Sequence, residues 1–101
     1  MAHILMEQTF EKPLTDEEQS RFAKKLDECL ELRRGAWVRS YLSLDRKRMI
    51  CEFEAPDADS VRDALRSGAI PFDRVWTADV YAVDDYPEHL ARLNKLRVKK
   101  P

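Results

Sequence analysis

The order in which extended and helical patterns follow one another restricts the fold of this chain more than any other feature. Apolar and polar residues alternate over residues 3–10, 37–44 and 48–54, as expected of half-buried strands. A fourth run, residues 75–83, is rich in β-forming residues. Two segments with helical periodicity separate these runs, so the sequence predicts the order β-α-β-β-α-β.

Both predicted helices carry their own start and stop signals. Thr15 is followed three residues later by Glu18, the spacing of a capping box in which each side chain satisfies a backbone N–H of the other residue. Asp57 is predicted to cap a second, shorter helix, while Gly35 and Gly68 are predicted to end the two helices. The pattern indicates a ferredoxin-like α+β sandwich, with both helices on one face of a four-stranded antiparallel sheet.

The chain has room for one domain and a short extension. Residues 1–83 are predicted to form the domain, and residues 84–101 a C-terminal helix or tail that starts near Pro87 and ends in basic residues. The 18 lysine and arginine residues nearly balance the 19 aspartate and glutamate residues, which argues against a nucleic-acid-binding protein. A chain of 101 residues is long enough to form one hydrophobic core.

Several absent signals predict the compartment. No apolar run approaches the roughly 20 residues of a membrane span, and the N-terminus lacks a signal-peptide pattern. Cys29 and Cys51 lie far apart, without the spacing of a zinc or redox motif, and are predicted to be reduced thiols. We therefore expect a cytoplasmic protein with no membrane partner.

Strand alternation sorts side chains onto the two faces of the predicted sheet. The set expected under the helices is Ile4, Met6, Val38, Leu42, Met49, Cys51, Phe53, Val80 and Ala82. The opposite face is expected to carry His3, Glu7, Thr9, Arg39, Tyr41, Ser43, Glu52, Glu54, Thr77, Asp79 and Tyr81, with Leu5, Trp37 and Ile50 among them. A hairpin loop centred on Arg46 and Lys47 pairs Arg39 with Glu54 and Tyr41 with Glu52.

The polar face supports two interpretations. One is a solvent-exposed face whose charges form cross-strand pairs. The other is an interface or cavity, which Trp37 and Tyr41 favour, because large aromatic side chains on a sheet face usually pack against a partner or ligand. The candidate ligand-binding residues are Glu7, Trp37, Arg39, Tyr41, Glu54 and Asp79, and the candidate metal ligands are His3, Glu7 and Glu54.

Five short segments resemble a known family. They are MEQTF in the first strand, TDEE at the start of the first helix, WVRSY, CEFEAPDADSVRDAL and AIPFDRVW. Over residues 3–83 the chain resembles a small domain-of-unknown-function family that includes nickel-binding proteins with a ferredoxin-like fold. The resemblance implies a dimeric α/β barrel, in which two polar sheet faces meet across a two-fold axis, and a divalent metal, nickel, as the cofactor.

The histidines that the resemblance implies differ in this chain. Many family members have a histidine in the first strand, where this chain has Glu7, and others around the second helix, where it reads ALRSGAIP. Only His3 and His89 are present. Since nickel prefers imidazole or thiolate ligands, a carboxylate-rich site suits harder cations better.

Three functions follow from these observations. The first is a homodimeric binding module that holds a small molecule or metal ion between paired sheets. The second is a small enzyme of the isomerase or cyclase type, with Glu7 or Glu54 as a base near Tyr41. The third is a non-catalytic interaction protein. No complete catalytic motif is present, so the sequence favours a role other than catalysis.

Overall fold

In a computed structural model, the described part of the chain forms four strands and three α-helices. The structure describes residues 1–98. Its elements are β1 (Ala2–Thr9), α1 (Asp16–Glu31), β2 (Ala36–Leu42), β3 (Arg48–Ala55), α2 (Ala58–Ser67), β4 (Arg74–Ala78), a 3-10 helix (Val83–Asp85) and α3 (Pro87–Val98). The predicted β-α-β-β-α-β order and the ferredoxin-like α+β class are confirmed.

The four strands form one antiparallel sheet in the order β2-β3-β1-β4. Helices α1 and α2 cover one face of this sheet, and the side chains between the two layers form the hydrophobic core. Ile4, Leu30, Phe53 and Leu65 are fully buried there, and each such side chain contributes roughly 1.5–3 kcal/mol through the hydrophobic effect.

Local side-chain chemistry starts both helices as predicted. The Glu18 backbone N–H donates to Thr15 Oγ1 at 3.1 Å, and the Thr15 backbone N–H donates to Glu18 Oε1 at 3.1 Å, which completes the capping box. At α2 the Ser60 N–H donates to Asp57 Oδ1 at 2.7 Å. These bonds satisfy N–H groups that a first helical turn leaves without partners.

The end of α1 differs in detail from the prediction. Arg34, and not Gly35, takes the left-handed conformation, with φ 59°. A Cβ atom on Gly35 would lie 3.2 Å from Leu30 Cδ2 and 3.4 Å from Ala55 Cβ. Gly35 therefore allows the close approach of the helix end to β3, while the adjacent arginine makes the turn.

The C-terminal helix α3 is present where Pro87 predicts it, and it packs only against the 3-10 helix. Leu96 and Val98 are exposed on it. The predicted basic end continues into Lys99 and Lys100, which lie outside the described residues. None of the helices described combines the length and apolarity that a membrane crossing requires.

Candidate functional site on the open face of the sheet

The sheet face opposite α1 and α2, called the open face below, receives side chains from all four strands. They are His3, Leu5, Glu7 and Thr9 of β1, Arg39 and Tyr41 of β2, Arg48, Ile50, Glu52 and Glu54 of β3, and Arg74 and Trp76 of β4. Because α3 contacts only the 3-10 helix, no helix within residues 1–98 covers this face. The open face is therefore a candidate surface for binding a ligand or partner.

A carboxylate held by two arginines lies at one end of the open face. Glu7 is only 8% exposed. Arg48 Nε donates to its Oε2 at 2.7 Å, and Arg74 Nε lies 3.1 Å from its Oε1. Arg74 is directly across from Glu7, and Arg48 is its diagonal neighbour, a position that a long side chain can reach. The two guanidinium groups compensate the cost of burying this charge.

A second polar cluster surrounds Glu52. Arg39 Nε lies 3.2 Å from Glu52 Oε1, and His3 Nδ1 lies 3.8 Å from Glu52 Oε2. The Nδ1 atom of His3 is buried and has no hydrogen-bond partner in the described part of the chain. Glu54 lies directly across from His3 and is exposed. An unpaired imidazole nitrogen beside a carboxylate is a feature that a ligand or cation would satisfy.

Apolar side chains separate the two polar clusters. Leu5 and Trp76 face each other across β1 and β4, and Ile50 faces Tyr41 across β3 and β2. Leu5, Ile50 and Trp76 are half-buried, and Tyr41 is 63% exposed. The open face therefore combines an apolar centre with charged groups on both sides, which is the composition of many binding surfaces.

The hairpin pairs these residues two positions away from the predicted register. Arg39 faces Glu52 and Tyr41 faces Ile50, so the predicted pairs Arg39–Glu54 and Tyr41–Glu52 are wrong. The hairpin loop is closed by a hydrogen bond from the Ser43 backbone N–H to the Arg48 carbonyl oxygen at 2.8 Å. Within the loop, Arg46 adopts the left-handed conformation, with φ 63°. A shift of two positions keeps every side chain on its face, so Arg39 and Tyr41 still lie on the open face.

The structure places Trp37 on the helix side of the sheet, contrary to the prediction. The register slips by one between Trp37 and Arg39, so Val38 forms a β-bulge and Trp37 faces Phe53. Its indole N–H donates to Ser40 Oγ at 2.9 Å. Together with Leu26 of α1 and other side chains, it lines a cavity large enough for about one water molecule, with a volume of about 20 Å³.

The last strand also differs from the prediction. β4 ends at Ala78, because Ala78 already pairs with His3 and β1 begins at Ala2, so almost no partner strand remains. Asp79 is therefore exposed beyond the strand. Val80 and Tyr81 are also exposed, so Val80 is not in the predicted core.

The faces of β4 are reversed relative to the prediction. Trp76 faces Leu5 and lies on the open face, while Thr77 faces Ile4 on the helix side. The sequence contained one sign of this reversal, because Trp76 does not fit the alternation assigned to the last strand. No pattern in the sequence indicated that Arg48 and Arg74 contact Glu7, because this contact depends on how β3 and β4 align with β1.

Comparison with models of known protein families identifies the family of this chain. A family model described as nickel responsive protein SCO4226-like matches residues 5–77. The chain belongs to the SCO4226-like family. The crystal structure of SCO4226 from Streptomyces coelicolor A3(2) superposes with a TM-score of 0.69 at 15% sequence identity, covering 80% of this chain and all of that chain. This similarity supports the ferredoxin-like fold, and no curated protein sequence matches the chain.

The description of the SCO4226-like family names nickel, so the potential metal ligands of this chain can be compared with those that nickel prefers. Within residues 1–98, no group of three or more histidine, cysteine, aspartate or glutamate residues is arranged to hold a metal ion. His3 and Glu52 offer two donors, whereas His89 lies on α3 and packs edge-on against Tyr86. Nickel favours imidazole and thiolate ligands, so residues 1–98 of a single chain do not provide a complete set of such ligands.

Proposed function

We propose that this chain forms a homodimer through its open face and holds a small ligand between the two sheets. The observation that carries the proposal is the apolar centre of Leu5, Ile50 and Trp76 on a face that no described helix covers. A partly exposed apolar patch with a polar rim is typical of an interaction surface. In a two-fold dimer the same face of each copy meets its equivalent.

The polar residues of the open face are the proposed ligand contacts. Glu7, Arg39, Tyr41 and Glu54 remain candidates because they share this face, while Trp37 and Asp79 lie elsewhere. The few polar groups around an apolar centre would fix the orientation of a ligand. Cys29 and Cys51 are both free thiols, which supports the cytoplasm as the compartment we propose.

Light scattering on the purified protein tests the dimer. We expect a mass about twice the 11.9 kDa of one chain. Tyr41→Lys adds a charge to the open face at a side chain that is 63% exposed, so folding should persist while the dimer weakens. Tyr81→Lys is the matched control, because Tyr81 is 81% exposed and outside the sheet. A wild-type mass of one chain would contradict the proposal.

A metal ion is the second candidate occupant, and His3 is the observation that favours it. The buried, unpartnered Nδ1 of His3 lies beside Glu52 and across from Glu54. If two copies associate through the open face, His3, Glu52 and Glu54 of each copy would lie at the same interface. In this case Ni²⁺ should raise the thermal midpoint of the wild type and not that of His3→Ala, with His89→Ala as the control.

A further inference from the structure

The two arginines that hold Glu7 retain unused hydrogen-bonding capacity. Only the Nε atom of Arg48 donates to the carboxylate, and Arg74 also approaches it through Nε. Neither arginine makes another side-chain hydrogen bond with the residues described. Arginine carries five N–H donors, so the terminal amino groups of both side chains are left to bind another acceptor.

The charges around Glu7 favour an anion. Two guanidinium groups and one carboxylate leave a net charge of +1 in this cluster. Asp73, which precedes Arg74 in the sequence, accepts a hydrogen bond from Thr9 Oγ1 at 2.8 Å and forms an ion pair with neither arginine. Arg48 is 65% exposed and Arg74 is 70% exposed, so both positive charges are accessible from solvent.

An open groove lies beside Arg48 on the same face. It has a volume of about 280 Å³, and its lining includes Tyr41, Ile50 and Ser43. Tyr41 and Ile50 face each other across the hairpin and present an aromatic ring and an aliphatic side chain. Ser43 Oγ already accepts the Arg48 backbone N–H at 3.0 Å and contacts Asp45. The groove is thus mostly apolar, and Arg48 is one of its lining residues.

We propose that Arg48 and Arg74 bind the acidic group of a small organic anion whose apolar body lies on Tyr41 and Ile50. This inference rests on the ligand-binding function proposed above and names its ligand class. Glu7 is a positioning residue in this site, because it engages the Nε of each arginine and not the terminal amino groups. Guanidinium groups match the geometry of carboxylate and phosphate oxygens.

Three probes with one body and different head groups test the proposal. Phenylpropanoate, phenylpropanol and phenylpropylamine are titrated into the wild-type protein to millimolar concentration, and the arginine Nε–H signals are followed by NMR. We expect the carboxylate to bind and to shift the signals of Arg48 and Arg74, while the alcohol and the amine bind at least about tenfold more weakly, since charge-assisted hydrogen bonds are lost. Added salt should weaken the binding of the carboxylate.

Single substitutions assign the site. Arg48→Gln and Arg74→Gln should each weaken phenylpropanoate binding by about tenfold or more, and Glu7→Gln should weaken it less, since both arginines remain. Arg92→Gln on α3 is the matched control and should leave the affinity unchanged. When Arg48 is replaced, Arg74 still pairs with the buried Glu7 carboxylate, so we expect a destabilised but folded protein, which the dispersion of the NMR spectrum verifies.

The possible results separate the ligand class from the dimer. A protein that is monomeric by light scattering but binds phenylpropanoate through Arg48 and Arg74 would refute the dimer and retain the anion site, since the site lies within one protomer. Equal binding of the three probes, no binding of phenylpropanoate, or unchanged affinity in Arg48→Gln and Arg74→Gln would overturn the anion site, whatever the oligomeric state.

Discussion

The two cysteines, both predicted from the sequence to be reduced thiols, have very different surroundings. Cys51 is only 4% exposed, and its Sγ accepts a hydrogen bond from Ser40 Oγ at 3.0 Å. Burial raises the pKa of the Cys51 thiol, and the Ser40 hydroxyl offsets part of this effect. Cys29 on α1 is only partly buried. Since the thiolate is the reactive form, Cys51 should be the less reactive residue.

This difference predicts the order of chemical modification. Iodoacetamide should alkylate Cys29 in the native protein well before Cys51, and the two rates should converge in denaturant, where both thiols are exposed. Mass spectrometry of timed digests measures both sites, and Cys29→Ser shows the Cys51 rate alone. Equal native rates at the two sites would show that the interior around Cys51 opens readily.

At the scale of secondary-structure elements, the helix caps make the stability depend on pH. The backbone N–H of Ser60, followed by its hydroxyl, lowers the pKa of the Asp57 carboxyl at the start of α2. The folded-state pKa is therefore below the unfolded value, so the ionised carboxylate stabilises the fold above the unfolded pKa. This stabilisation is lost as the pH falls through the folded-state pKa.

We accordingly expect Asp57→Ala to lower the urea midpoint at neutral pH and to have little further effect at strongly acidic pH, where the wild-type carboxyl is protonated. Asp63→Ala is the control, because Asp63 lies within α2 in an exposed pair with Arg66 at 3.8 Å, and such pairs contribute little. Urea titrations of the three proteins across this pH range provide the measurement. A destabilisation by Asp57→Ala that is the same at both pH values would contradict the role of the charge.

The elements also show which features the sequence alone could predict. Thr15, Glu18 and Asp57 act on groups three residues away, so local spacing was sufficient to place both helices. The bulge at Val38 and the early end of β4 depend on which residues face them in neighbouring strands. The contact of Arg48 and Arg74 with Glu7 depends in the same way on the alignment of three strands, which no single segment contains.

In the whole molecule, α3 lies apart from the sheet and from the two helices that cover it. The family match ends at residue 77, and α3 packs against the 3-10 helix but not against the sheet or the other helices. It contributes no residue to the hydrophobic core among the residues described. The radius of gyration of 15.7 Å exceeds the roughly 13 Å expected of a compact domain of this length.

Removal of α3 tests whether residues 1–83 fold as the sequence predicts. We expect a chain that ends before Pro87 to keep its unfolding free energy within about 0.5 kcal/mol of the wild type, as for changes away from the core. Urea denaturation monitored by tryptophan fluorescence measures this difference, with Leu65→Ala as a core variant that should lose about 2–5 kcal/mol. A truncated chain that fails to fold would show that α3 belongs to the domain.

The bulge in β2 has a consequence for how copies of this chain can associate. β2 and β4 are the two borders of the sheet, where unpaired backbone groups could recruit a further strand. The irregularity at Val38 interrupts the hydrogen-bonding row of β2, and β4 offers only five residues. Both are devices that limit aggregation through sheet borders. Continuous, fibril-like growth of the sheet through these two edges is thereby disfavoured.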